Sequence, residues 1–166
     1  MRRYIAVVPL LLLSSTAYSQ QSKNASYSCV VEWVGGGWYN SSTKRWEGNA
    51  FKPSSLGEYS KFVIRMQFVE TRPVLTFKKT EYLDDYNVFI TPSGSQFPRD
   101  CQGNNDSGIV TMRLSTIRCS AAVSDYIFDQ NTNRFLQVSA IGYFTGQDSN
   151  DNIPFVAGGT CTKTEE

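Results

Sequence analysis

Three tryptophans, Trp33, Trp38 and Trp46, fall within fourteen residues of chain, with Tyr39 between them. Exposed Trp and Tyr faces stack on sugars and on flat apolar ligands, while their N–H and O–H groups fix orientation. Trp33, Trp38, Tyr39 and Trp46 are therefore the expected ligand-binding residues. The bland use of the same side chains is to fill the interior of the fold or cap its end. The run Gly35-Gly36-Gly37 splits this segment. If it splits one strand and the hairpin returns, Trp38 and Trp46 sit near each other across it. No Lys-Ser/Thr and no helix follow the glycines, so a phosphate loop is not indicated. A β-bulge or sharp strand bend is the expected role.

Most other chemistries are argued against. The chain has no histidine, which removes Ser-His-Asp and Cys-His activation, His general-base work and His-rich metal sites. Ser41-Ser42-Thr43-Lys44 matches S-x-x-K. That motif acylates only from a helix start with partner motifs elsewhere, and neither is present. Two D-x-N-x-N strings, Asp129/Asn131/Asn133 and Asp148/Asn150/Asn152, invite a calcium reading. Both lack the Gly and Glu that an EF-hand loop needs at its sixth and twelfth positions. The second string, with Asp148, Asn150, Asp151 and Asn152, is the only weak calcium candidate, and no cofactor is expected. Glu32, Glu47, Glu58 and Asp125 lie near apolar runs and leave room for a carboxylate-only enzyme, such as a glycosidase.

All four cysteines, Cys29, Cys101, Cys119 and Cys161, follow an apparent export signal. Arg2 and Arg3 precede an apolar run from Ile5 to Leu13, and Ala17-Tyr18-Ser19 supplies a cleavage site, with the cut after Ser19. That run is under half of the roughly 20 residues a spanning helix needs, and no second one follows. The expected organisation is residues 1–19 as signal peptide and 20–166 as one secreted β domain. Four cysteines in an exported chain read as two disulfides. Of three possible pairings, Cys29–Cys161 with Cys101–Cys119 is favoured. It ties the opening strand to the closing one and closes a loop of moderate length. Lys and Arg number 16 against 15 Asp and Glu, and loss of Arg2 and Arg3 leaves the mature chain near neutral. That argues against a nucleic-acid footprint, and there is no polybasic segment for anionic membranes.

Strand signals must position all of this. Phe62, Ile64, Met66 and Phe68 alternate with Val63, Arg65, Gln67 and Val69; Val110, Met112 and Leu114 alternate likewise. So do Leu136, Val138, Ala140 and Phe144 with Gln137, Ser139, Ile141 and Tyr143. Ser28–Val34, Val74–Thr80 and Tyr86–Thr91 are shorter β-rich runs. Turn-formers separate them at 53–57, 92–94, 103–108 and 147–154. The expectation is an all-β fold, a single antiparallel β-barrel or sandwich of about eight to ten strands, with the barrel preferred because closure removes exposed edges. Two segments echo each other: Tyr39–Trp46 reads YNSSTKRW and Phe128–Phe135 reads FDQNTNRF. Both predict hairpins in which Asn40 or Asp129 starts the turn and the aromatics pair across the strands.

The segments TNRFLQVSAIGYFTGQDSNDNIPFVAGGTCTKTE, YSCVVEWVGG and STKRWEGNAFKP resemble small exported proteobacterial proteins of unknown function. The resemblance covers both ends of the mature domain and is vaguest from Thr71 to Gly108. It implies a periplasmic or secreted protein of a Gram-negative bacterium and carries over no catalytic residue.

Three functions are weighed. The first is a non-catalytic β-barrel binding module for a small apolar or sugar-like ligand at the Trp33/Trp38/Trp46 end. The second is a protein-interaction or hydrolase-inhibitor module of the cell envelope, with Thr91–Ser107 as its loop. The carboxylate-only enzyme ranks last. An open cavity lined by Trp38 and Trp46 favours the first. A filled interior with apolar residues on a protruding loop favours the second.

Overall fold

Period-two alternation of apolar side chains builds the fold. The structure, a computed structural model, describes residues 23–77, 79–146 and 148–165. The expected export signal falls on residues outside these. Ten strands form one antiparallel sheet: β1 (Ala25–Asn40), β2 (Arg45–Phe51), β3 (Lys61–Leu75), β4 (Thr80–Pro92), β5 (Arg99–Cys101), β6 (Val110–Thr111), β7 (Thr116–Ala121), β8 (Ser124–Asp129), β9 (Arg134–Ser139) and β10 (Phe155–Thr164). A 3₁₀ segment, Pro53–Ser60, leads into β3, and one helical turn, α1 (Ile141–Phe144), follows β9.

The strand order is β5-β4-β3-β1-β10-β9-β8-β7, with β2 beside β1 and β6 beside β4. The ladder is not closed into a barrel. Its two ends meet at a seam where Gln102 and Ser120 exchange two backbone hydrogen bonds of 2.8 Å. The Cys101–Cys119 disulfide crosses that seam, and Cys29–Cys161 staples the directly opposed residues of β1 and β10. These are the two favoured pairings. Two disulfides are compatible with a periplasmic or extracellular setting, and no helix among the described residues is long and apolar enough to cross a membrane.

The inner face is filled. Tyr27, Phe62, Ile64, Met66, Ile90, Ile117, Tyr126, Phe128 and Phe135 are buried together, with Phe62 edge-on to both Tyr126 and Phe135. The expectation for β3 holds: Phe62, Ile64 and Met66 point inward and Phe68 packs against the core.

Three strand expectations are corrected. In β9 the inner face carries Phe135, Gln137 and Ser139, whereas Leu136 is exposed and Val138 half-buried. The polar pair is tolerated because the Gln137 amide donates to Ser124 Oγ (3.3 Å) and to the Tyr126 hydroxyl (3.1 Å). Residues 141–144 form α1 instead of continuing the strand. From Val110, only two residues pair, and Leu114 and Ser115 turn the chain with positive φ. Val74–Thr80 spans the turn between β3 and β4 rather than a strand.

Both echoing segments are hairpins. Tyr39 pairs with Trp46 and Phe128 with Phe135. Asn40 Oδ1 accepts the backbone N–H groups of Ser42 and Thr43; Asp129 Oδ1 accepts those of Asn131 and Thr132. Lys44 and Asn133 close the two turns at φ 56° and 55°. Ser41–Lys44 is thus a turn and not a helix start.

Candidate functional site

The three tryptophans are separated. The register pairs Trp38 with Glu47 and Trp46 with Tyr39, so alternation places Trp38 and Trp46 on opposite faces of the β1–β2 hairpin. The expectation that they meet across it is corrected. Trp46, half-buried, joins an aromatic group, with ring centroids 5.5 Å from the buried Tyr39 and 5.8 Å from the exposed Tyr143.

The 148–154 loop folds over that group. Trp46 Nε1 donates to Asp148 Oδ1 at 3.1 Å, and the Asn150 amide bonds both backbone groups of Tyr39 at 2.8 and 3.0 Å. Asp148 and Asn150, half of the weak calcium set with Asp151 and Asn152, therefore spend side-chain oxygens on tethering this loop. The glycine run makes the tether possible. A Cβ on Gly36 would lie 2.3 Å from the Pro154 carbonyl oxygen, and Gly37 N–H donates to that oxygen at 2.9 Å. The bulge expected at the glycines lies earlier, between Val31 and Trp33.

Trp33 sits elsewhere, on the outer face. A Cβ on Gly158 would lie 2.5–2.8 Å from three atoms of its indole. The ring therefore rests on a bare glycine, with 49% of the residue exposed. It borders a groove of about 580 Å³, within the range of small-ligand sites. Two cross-strand rows pave the groove. One runs Arg118, Ile127, Leu136, Gly158, Trp33 through directly paired residues of β7, β8, β9, β10 and β1. Four interstrand spacings make it roughly 19 Å long. The parallel row runs Thr116, Asp129, Arg134, Thr160.

Charge in this groove is fixed unevenly. Ser115 Oγ at 2.7 Å, then the Thr132 backbone N–H at 2.8 Å, hold the Asp129 carboxyl well below the usual carboxylate range, and Thr116 Oγ1 adds a third bond at 2.9 Å. Glu32 Oε1 accepts from Thr160 Oγ1 at 2.6 Å. Among the described residues, the Arg118 and Arg134 guanidinium groups make no hydrogen bond or ion pair with protein. The groove thus offers an indole platform, an aliphatic floor and two uncommitted five-donor forks.

Sequence reasoning found Trp33 but missed Arg118, Ile127, Arg134 and Leu136. They lie up to about a hundred residues from Trp33 in the chain, and only the register of five strands brings them together. The carboxylates Glu32, Glu47, Glu58 and Asp125 take separate partners: Thr160, Asn40, Arg99 and Ser120.

No family model, no curated protein and no solved structure matches the chain.

Proposed function

We propose that the protein is a non-catalytic binding module of the bacterial envelope that holds an acidic, sugar-like ligand in the outer groove. The observation that carries this reading is the Trp33 indole, laid on Gly158 with its other face to solvent, in a groove with two unpaired arginines. Sugar rings stack on such a face, and a guanidinium fork engages a carboxylate through two parallel hydrogen bonds. The ligand lies against the outside of the sheet, because the interior is filled by Phe62, Phe128 and Met66.

Disulfide-intact protein titrated with uronic-acid oligosaccharides and with neutral oligosaccharides of equal length tests this. Binding of the acidic series is expected. Trp33→Ala and the Arg118→Gln/Arg134→Gln pair should each weaken it about tenfold or more, since each removes at least about 1.4 kcal/mol of contact. Unchanged melting temperatures would show that the fold is intact. Equal binding by Trp33→Ala, or no sugar bound at all, sinks the reading.

A second reading, a protein-interaction module, draws on the same filled interior and on Phe97, exposed in the Thr91–Ser107 segment. It expects Phe97→Ser, and not Trp33→Ala, to abolish capture of an envelope protein.

A further inference from the structure

The β3–β4 hairpin outruns the sheet. β1 begins at Ala25, opposite Met66, yet β3 and β4 stay paired through Leu75 and Thr80. The excess is a two-stranded ribbon, a form that is marginal in water on its own. Its base is braced on both faces. Arg72 Nε bonds Asp85 Oδ2 at 2.6 Å and Thr111 bonds Asp85 Oδ1 at 2.7 Å. On the other face, Lys23 Nζ reaches Asp84 at 2.8 Å and Thr71 at 3.0 Å.

Its far end is apolar and bare. Leu75 is 84% and Tyr82 73% exposed, and Phe77 is fully exposed. Leu75 and Tyr82 share a face with Pro73, by alternation from the Pro73–Tyr82 and Leu75–Thr80 pairs. Thr76 N–H and Oγ1 both donate to the Lys79 carbonyl, at 3.0 and 2.7 Å, which sets Phe77 in the turn. Lys78 and Lys79 follow directly in sequence. Lys79 also lies 3.5 Å from Glu81 in an exposed pair.

A rigid base that holds bare Leu and Phe away from the body calls for an occupant. Three side chains are too few for a second copy. An aromatic covers roughly 150–250 Å², and a stable dimer needs about 800 Å² per partner. A lipid surface needs no such area. Phe and Leu enter the boundary between headgroups and acyl chains, and lysines on long stems stay at phosphate depth.

We infer that the β3–β4 arm is a finger that dips Leu75 and Phe77 into an anionic lipid surface, with Lys79 at its phosphates. A single lysine adsorbs a protein weakly, so insertion carries the contact. The inference is independent of the groove, which other strands form.

Full-length disulfide-intact protein is sedimented with vesicles of phosphatidylethanolamine and phosphatidylglycerol, and with phosphatidylcholine vesicles. Preferential binding to the anionic vesicles is expected. The Leu75→Ser/Phe77→Ser variant should bind about tenfold more weakly or worse, and Lys79→Gln should narrow the anionic preference. Both substitutions fall on exposed positions, and an unchanged melting temperature confirms folding. In a second variant, Phe77→Trp, brominated lipid should quench the added fluorescence. No sedimentation of wild type, equal sedimentation of the Ser variant, or an unquenched Trp overturns the proposal. A wild-type dimer that the Ser variant dissolves also overturns it, by assigning the tip to a second copy.

Discussion

At the scale of single residues, two aromatic side chains, one on each face of the sheet, make opposite demands. Trp33 lies on Gly158 and is half exposed, so its removal should cost binding with little stability. Phe128, buried completely in the core, should cost about 3–5 kcal/mol when cut to Ala, read by denaturant unfolding. Gln137 is subtler. Its Nε2 has two partners, but its buried Oε1 has none among the described residues. A buried acceptor without a donor costs about 1–3 kcal/mol. The Ser124 and Tyr126 hydroxyls both accept from that one nitrogen, and a hydroxyl rotates to donate or accept, so the two can turn to one another once the amide is gone. Gln137→Met should therefore leave stability unchanged or raise it by about 1 kcal/mol. A large loss on chemical denaturation would show that the amide is needed there.

At the scale of elements, the β8–β9 hairpin turn is held by a carboxylate. Asp129 has its pKa lowered in the folded protein, chiefly by the Ser115 hydroxyl and then by the Thr132 N–H. A lowered folded pKa adds stability above the ordinary carboxylate range, and that stability is lost as pH falls through the folded value. Thermal melts of Asp129→Asn should thus lie below wild type at neutral pH, with the gap closing in acid; a gap that persists there would assign the effect to shape instead of charge. This turn was legible in the sequence, since Asp129 and Asn40 stand at the start of matching polar runs between aromatics. The inner face of β3 was legible for the same reason, a long unbroken alternation. The direction of β9 was not. Leu136 and Val138 alternate with Gln137 and Ser139 whichever way the strand faces, and only the partners Ser124 and Tyr126, thirteen and eleven residues away, decide it. The groove was illegible because its rows run across strands, and the tryptophan hairpin was misjudged by a single residue of register.

At the scale of the whole molecule, the sheet is a rolled strip with one weak seam. Two isolated backbone bridges, Gln102–Ser120 and Arg113–Thr116, and the Cys101–Cys119 bond join its ends, and the sequence separation of that bond is 18. Loop entropy assigns it about 3 kcal/mol, and nearly 5 to Cys29–Cys161 with its separation of 132. Cys101→Ser/Cys119→Ser should lower unfolding free energy by the smaller amount, yet it should open the seam locally. Amide exchange at Gln102 and Ser120 should then speed up while β1 and β10 stay protected. Uniform loss of protection across the sheet would show that the seam is no weaker than the rest.

The pairing of the first strand with the last has a consequence for biosynthesis. A ribosome releases Cys29 early, and Cys101 appears before Cys119 or Cys161. An oxidant that joins thiols in their order of emergence would link Cys29 to Cys101, a bond the native molecule does not contain. The nested native pairs form only if oxidation waits for the final strand or if an isomerase rearranges the early product. β10, which completes the sheet, is the last of its ten strands to be made, so the sheet stays open until that strand emerges.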